Sequence, residues 1–195
     1  WMTLEICFTE SNIYQVMGIK SLLYQYYQGD KADIHFVSST SFCLENSAGI
    51  IFGEDVITMS LPVVSGHREM KGQPSTVMTW YIPFLSRNCP IDDIALKIKK
   101  LLNFVTTVGA PFRGPLSKLK SYTQLSEAEY RVLVLTGKGY HCHDIARMLN
   151  RSGKTVSAHY RSISRKMGAA NRAEFYRFAC YIAGLEDEPV NTLFL

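Results

Sequence analysis

The chain contains no apolar run near the roughly 18 residues needed to cross a bilayer. No basic segment followed by an unbroken apolar stretch opens it, so no secretory signal is expected. Trp1 precedes Met2; Met2 is the expected native start and Trp1 an addition to it. Cysteine is sparse, odd in number and scattered, at Cys7, Cys43, Cys89, Cys142 and Cys180. With no CxxC pair, neither a disulfide framework nor a zinc site of ordinary spacing is expected. His141-Cys142-His143 sets three ligand types side by side, without the spacing a metal needs, so the expected metal is none. Free thiols suit a reducing compartment, and a cytoplasmic protein with no membrane partner is expected. There is no Gly-rich phosphate loop and no nucleophile elbow. An enzyme therefore ranks last and no cofactor is expected. Among the 195 residues 47% are hydrophobic and 19% charged. That balance excludes disorder, collagen and coiled coil as the main architecture, and leaves one medium domain or two small ones.

Charge divides the chain. Residues 1–105 carry 8 Lys/Arg against 10 Asp/Glu, whereas residues 106–195 carry 13 against 7. Three of those seven acids are Glu186, Asp187 and Glu188, so residues 106–185 are more basic still. A basic block joined to a mildly acidic one fits a polyanion-binding module attached to something else, and equally a solvated basic face.

The first half alternates strands and helices. Thr3–Thr9, Ile34–Ser38, Asp55–Leu61 and Val77–Leu85 read as strands. Ser11–Tyr27 has helical spacing. Pro90 opens a helix to Phe104, with Asp92 and Asp93 in its first turn and Lys97, Lys99 and Lys100 nearer its end, an order that suits the helix dipole. The alternation predicts an α/β domain with a parallel sheet. Residues 62–75 are mostly loop. Residues 106–121, with Gly109, Pro111, Gly114 and Pro115, read as a linker.

From Tyr122 onward four helices are expected. The first opens on a capping box of Ser126 and Glu129 and ends at Gly137-Lys138-Gly139. The second covers about His143–Leu149, and Asn150 takes the left-handed turn after it. The third is capped by Ser152 and ended by Gly168. The fourth begins at Asn171, with Glu174 as its box partner. Two short helices joined by a tight turn are the geometry of a helix-turn-helix. At about 100° per residue, Val156, Ile163 and Met167 form one narrow apolar stripe on the third helix. Lys154, Ala158, Arg161 and Arg165 line the opposite side. A helix laid in the DNA major groove needs this division: one face grips its own domain, and the other offers Arg to guanine edges. An ordinary amphipathic surface helix shares it.

The matching residues run through the whole segment. They are Leu125-Ser126 with Glu129, Val132-Leu133, Gly139, Asp144-Ile145-Ala146 and Leu149. Ser152-Gly153-Lys154-Thr155-Val156-Ser157-Ala158-His159 follows, then Ile163, Lys166-Met167-Gly168 and Asn171-Arg172-Ala173-Glu174. On these residues, 122–185 resemble the LuxR/FixJ-type helix-turn-helix of bacterial transcription regulators. The resemblance implies double-stranded DNA as partner, with Ser157, Ala158 and Arg161 facing bases. Lys154, Thr155, His159 and Lys166 would hold the backbone, joined by Arg151 and Arg165. His159 also reads as a half-buried packing residue. His141 departs from the usual Ser or Thr cap, Arg151 from an apolar turn residue, and Ser157 from a frequent Lys. Phe175, Phe178 and Ile182 on the fourth helix read either as core or, as the resemblance implies, as a two-fold dimer contact.

Such modules often follow a phosphoacceptor receiver domain, and residues 2–105 resemble a degenerate one in the order of elements. Thr9-Glu10 stands where an acidic Mg²⁺ pair is needed, Ser60 in the acceptor's place, and Ser86 where a Lys is needed. Aspartyl phosphorylation is not expected. The reading is a truncated, atypical receiver-like α/β domain (2–105), a linker (106–121), an all-α domain of four helices (122–185) and a C-terminal tail (186–195). Its expected function is a sequence-specific regulator acting as a homodimer. The alternative is an auxiliary regulator that heterodimerises with another regulator and binds DNA poorly alone. The layout resembles small regulators of surface structures such as fimbriae in enteric bacteria.

Overall fold

The computed structural model describes residues 3–9, 12–38, 48–63, 76–84, 89–109, 124–185 and 190–195. Glu10, Ser86, Glu186, Asp187, Glu188, the loop residues 64–75 and linker residues 110–121 lie outside them.

The first half gives β1 (Leu4–Phe8), α1 (Ile13–Tyr26), β2 (Ile34–Phe36), β3 (Ala48–Phe52), β4 (Val56–Val63), β5 (Thr76–Pro83) and α2 (Ile91–Gly109). Asn12 caps α1 by accepting from the amides of Tyr14 and Gln15, and α2 carries Asp92 and Asp93 in its first turn. The second helix therefore runs through the first residues assigned to the linker. The second half gives α3 (Glu127–Gly137), α4 (Cys142–Met148), α5 (Gly153–Met167), α6 (Arg172–Ala183) and β6 (Asn191–Thr192). No helix among the described residues is long and apolar enough to cross a membrane.

An α/β sheet domain followed by a helical domain is thus the observed architecture. The strands stand in the order β2-β1-β3-β4-β5-β6. β1 is parallel to β2 and β3, and β5 to β6. The expected α/β domain thus has parallel pairs toward both edges of its sheet, while the central pairs β3·β4 and β4·β5 are antiparallel. The physical reason is a tight turn. Gly53, Glu54 and Asp55 join β3 to β4 directly, with the Gly53 amide donating to the Val56 carbonyl at 3.0 Å. So short a connection can only return the chain antiparallel.

Side-chain alternation gives the sheet two buried faces. One presents Leu4, Ile6, Ile50, Phe52, Ile57, Met59, Trp80 and Ile82 to Ile19 and Leu23 of α1 and to Ile98, Leu101, Leu102 and Val105 of α2. Among the described residues both α-helices of the N-terminal domain, α1 and α2, share this face. The other face, at β4, β5 and β6, offers Val56, Tyr81 and Phe194 to the core of the helical domain. Doubly wound sheets cover both faces with their own helices; here the helical domain covers the second.

Residues 190–195, expected as a tail, are structural. Asn191 and Thr192 pair with Trp80 and Tyr81. Leu193 then enters the sheet core and Phe194 the helical core, both buried. Around this strand the domains lock together. Arg177 Nε donates to Asp55 Oδ2 at 2.9 Å. Tyr181 Oη lies 3.4 Å from Thr58 Oγ1, its ring 6.0 Å from that of Tyr81. The Val190 amide donates to Tyr130 Oη at 3.2 Å.

Candidate nucleic-acid interface

Local rules set the helices of the C-terminal domain. Ser126 and Glu129 form the expected capping box: the Ser126 amide donates to Glu129 Oε2 at 2.8 Å, and the Glu129 amide to Ser126 Oγ at 3.3 Å. At the far end of α3, a Cβ on Gly137 would lie 2.0 Å from the Ala179 carbonyl oxygen. Only glycine lets α3 and α6 approach so closely. His141 precedes α4 without a side-chain cap bond, as its residue type predicts. Asn150 then turns the chain at φ 50°, the left-handed conformation that Asn tolerates. Ser152 caps α5 through the Thr155 amide at 3.1 Å, and Gly168 ends it in the left-handed region. Asn171 Oδ1 accepts from the Glu174 amide at 3.0 Å. The returning bond goes from the Ala170 amide to Glu174 Oε2 at 2.8 Å, one residue earlier than a strict box.

These caps fix α4 and α5 as a pair, and α5 has the two faces its periodicity predicts. Val156, Ile163 and Met167 are buried against Val132, Ile145 and Phe175. Arg151, Lys154, Ala158, Arg161 and Arg165 are exposed, while Thr155, Ser157 and His159 are half-buried. Among the described residues none of the exposed arginines of α5 is in an ion pair; the pairs present are Lys166–Glu129 and Arg177–Asp55. The docking surface toward the sheet uses α6, Tyr130 and residues 190–194, so the cationic side of α5 is left to solvent. An uncompensated cationic stripe beside a small residue suits close approach to a polyanion.

Lys166 requires a correction. Read as a contact to the DNA backbone, it instead turns inward. Its Nζ donates to Glu129 Oε2 at 2.7 Å and to the Gln124 carbonyl at 3.2 Å, and Ser162 Oγ donates to the other carboxylate oxygen at 2.7 Å. Burial alone would push the Glu129 carboxyl up. The Lys166 ammonium, the Ser126 amide and the Ser162 and Ser126 hydroxyls outweigh it and bring the group down to about 2. Lys166 therefore clamps α5 to the start of α3.

Two further assignments change. Phe175, Phe178 and Ile182 are fully buried within the protomer. Phe175 packs on the Tyr160 ring at 4.1 Å, and Phe178 faces Phe194 at 6.3 Å. They cannot be a free dimer surface; the exposed positions of α6 include Arg172, Ala173 and Tyr176. Ser60 is likewise not an acceptor position. It lies within β4, opposite Gly49 and Thr79, with its Oγ 3.0 Å from Thr79 Oγ1. β1 lies between β2 and β3, and the carboxyl end of β3 is Phe52. There Phe8 stacks on Phe52 at 5.3 Å and on Phe36 at 6.0 Å, and Lys20 Nζ sits 4.5 Å from the Phe36 ring.

Sequence reasoning also passed over a neighbour of the interface. Tyr140, Arg172 and Tyr176 stand around Arg161 at one cavity. Arg172 enters the sequence reading only within the family-matching stretch Asn171–Glu174, because its nearness to α5 is tertiary.

Residues 123–179 match the model of the family described as bacterial regulatory proteins, luxR family. No curated protein matches the chain. The α4–α5 pair, its buried stripe and its exposed cationic side lie inside that match, so residues 123–179 form a helix-turn-helix of the LuxR type, the DNA-binding module of bacterial regulatory proteins.

Proposed function

We propose that the chain is a sequence-specific transcription regulator that binds double-stranded DNA as a two-fold dimer, in the cytoplasm and without aspartyl phosphorylation. The observation that carries this reading is α5. It buries Val156, Ile163 and Met167 and leaves Lys154, Ala158, Arg161 and Arg165 exposed. Ser157, Ala158 and Arg161 are assigned to bases. Arg151, Lys154, Thr155, His159 and Arg165 are assigned to the backbone, with the phosphates held near the start of α5 where the dipole favours them.

Selection from a random duplex library with the purified protein at near-physiological salt tests it. Two related half-sites about one helical turn apart are expected. A single half-site, or no enrichment from folded protein, overturns the autonomous dimer. On the selected site, Arg161→Ala is expected to weaken binding by roughly 1–3 kcal/mol and to relax one base position. Unchanged affinity and unchanged base preference would remove Arg161 from the base-facing set.

The phosphorylation-independent reading rests on the aromatic cluster of Phe8, Phe36 and Phe52 at the carboxyl ends of β1, β2 and β3. In open α/β sheets, ligands bind beyond the carboxyl ends of the strands, and there β3 ends on Phe52 rather than on an aspartate. Treatment with acetyl phosphate and Mg²⁺ is expected to leave the intact mass unchanged. A stoichiometric aspartyl adduct would refute it.

A second reading, heterodimerisation with another regulator, is favoured by α1. Ile13, Tyr14 and Met17 are 64%, 83% and 62% exposed and lie within a turn of one another. Such an apolar patch suits a protein partner.

A further inference from the structure

We propose that the helix-turn-helix domain holds a binding site for a small aromatic carboxylate, formed by the cavity between α3, α4, α5 and α6. The inference rests on the DNA-binding reading only for its regulatory consequence. The cavity has a volume of about 530 Å³, within the range of sites that take small organic molecules. Its floor is apolar, made by Val132, Ile145 and Val156, which are buried. Its rim is cationic. Among the described residues Arg161 and Arg172 both line it, together with His141, and no Asp or Glu does. Arg172 lies over the Tyr160 ring at 5.7 Å; neither arginine is in an ion pair among the described residues. Two guanidinium groups without carboxylate partners at one opening favour an anion, and a carboxylate can accept a forked pair of bonds from either.

The walls say what the rest of the ligand is. Tyr140 and Tyr176 are 41% and 48% exposed although both border the cavity. Exposed rings flanking an apolar floor suit a flat aromatic group, which would stack on them while its carboxylate meets the arginines. Free phosphate, or a phosphate of the DNA backbone, would use the cations and leave the apolar floor and the rings unemployed.

The site shares Arg161 and Ser157 with the base-facing surface. A carboxylate that engages Arg161 withdraws it from DNA, so ligand and operator oppose each other. By linkage each weakens the other by the same factor.

The test begins without DNA, which separates it from the reading of α5. Full-length protein is titrated with benzoate, cinnamate and indole-3-acetate, alongside the neutral amide of each and inorganic phosphate. Occupancy is read by calorimetry and by the alkylation rate of Cys142, an exposed thiol on the rim, 3.5 Å from Ser157 Oγ. At least one acid is expected to bind, to slow alkylation of Cys142 and not of Cys89, and to bind roughly tenfold more tightly than its amide. Arg172→Gln is expected to remove most of that difference while leaving the melting temperature in place. The proposal is overturned if no acid protects Cys142, if the amides bind equally, or if phosphate protects as well as the acids. Protection that persists in Arg172→Gln also overturns it. A second stage adds the selected duplex: the bound acid should lower its affinity, and an unchanged duplex affinity would refute the regulatory consequence alone.

Discussion

Lys166→Ala is expected to destabilise the helical domain by about 3–5 kcal/mol, the cost of leaving a buried carboxylate without its cation. For a chain of this size that lowers the melting temperature by roughly 10 °C. The carboxylate concerned, Glu129, is buried at the α3–α5 junction and has its lysine at 2.7 Å. Thermal and urea unfolding measure the loss, and adding Glu129→Gln to Lys166→Ala should recover part of it by removing the stranded charge. The pH dependence has a definite sign. With the folded carboxyl at about 2 against an ordinary 4.5, the parent's advantage is complete above pH 4.5 and fades as pH falls toward 2. A shift of that size is worth roughly 3 kcal/mol. The stability gap between parent and Lys166→Ala should therefore narrow in acid. The folded fraction of the variant should keep its DNA affinity. A variant with the parent's melting temperature but weaker binding to every duplex would return Lys166 to the backbone-contact set.

Removing residues 190–195 is expected to have the second large effect. Leu193 and Phe194 are 0% and 4% exposed and belong to different cores. Truncating one buried Leu or Phe typically costs about 2–5 kcal/mol. Losing both, together with the pairing on β5, should cost on the order of 5 kcal/mol or more, comparable with the whole stability of many domains. Urea unfolding and limited proteolysis are the measurements. Phe194→Ala alone is the milder form, expected at about 3 kcal/mol and reported by early loosening of α6. A truncated chain with the parent's urea midpoint would show that the strand contributes nothing.

What the sequence made legible, it made legible through local rules. The helices of the second half follow from caps at Ser126, Ser152 and Asn171 and from stops at Asn150 and Gly168, all of which act within a few residues. The buried stripe of α5 follows from spacing alone, because Val156, Ile163 and Met167 return to one side of any α-helix. Lys166 lies one residue from that stripe, and periodicity cannot say whether such a side chain turns out to DNA or in to a carboxylate 37 residues earlier. Only Glu129 decides it. The same limit governs α6, where Phe175, Phe178 and Ile182 have the right spacing for a seam but are used up by Tyr160, Phe194 and α3.

The sheet was harder to read for different reasons. β3 begins with Ala48 and Gly49, small residues that hide a strand buried almost throughout. Without β3 the Gly53-Glu54-Asp55 turn has no meaning as a hairpin, and β4 takes the place of the third strand, carrying Ser60 with it. β6 is two residues long and pairs with residues more than a hundred positions earlier. No local pattern announces such a partner; the nearest signal was the apolar Leu193-Phe194-Leu195 after an acidic stretch.

The position of β6 in the chain bears on how the protein is made. The sheet is interrupted by the whole helical domain, since residues 124–185 fall between β5 and β6. During synthesis, which presents the amino-terminal half first, β5 emerges as an open edge and the Val56–Tyr81 face as bare apolar surface. Both wait until α6 and then β6 have left the ribosome. An unpaired edge is a template for pairing with other chains, so the nascent protein passes through an interval of exposure to aggregation that lasts until β6 pairs with β5.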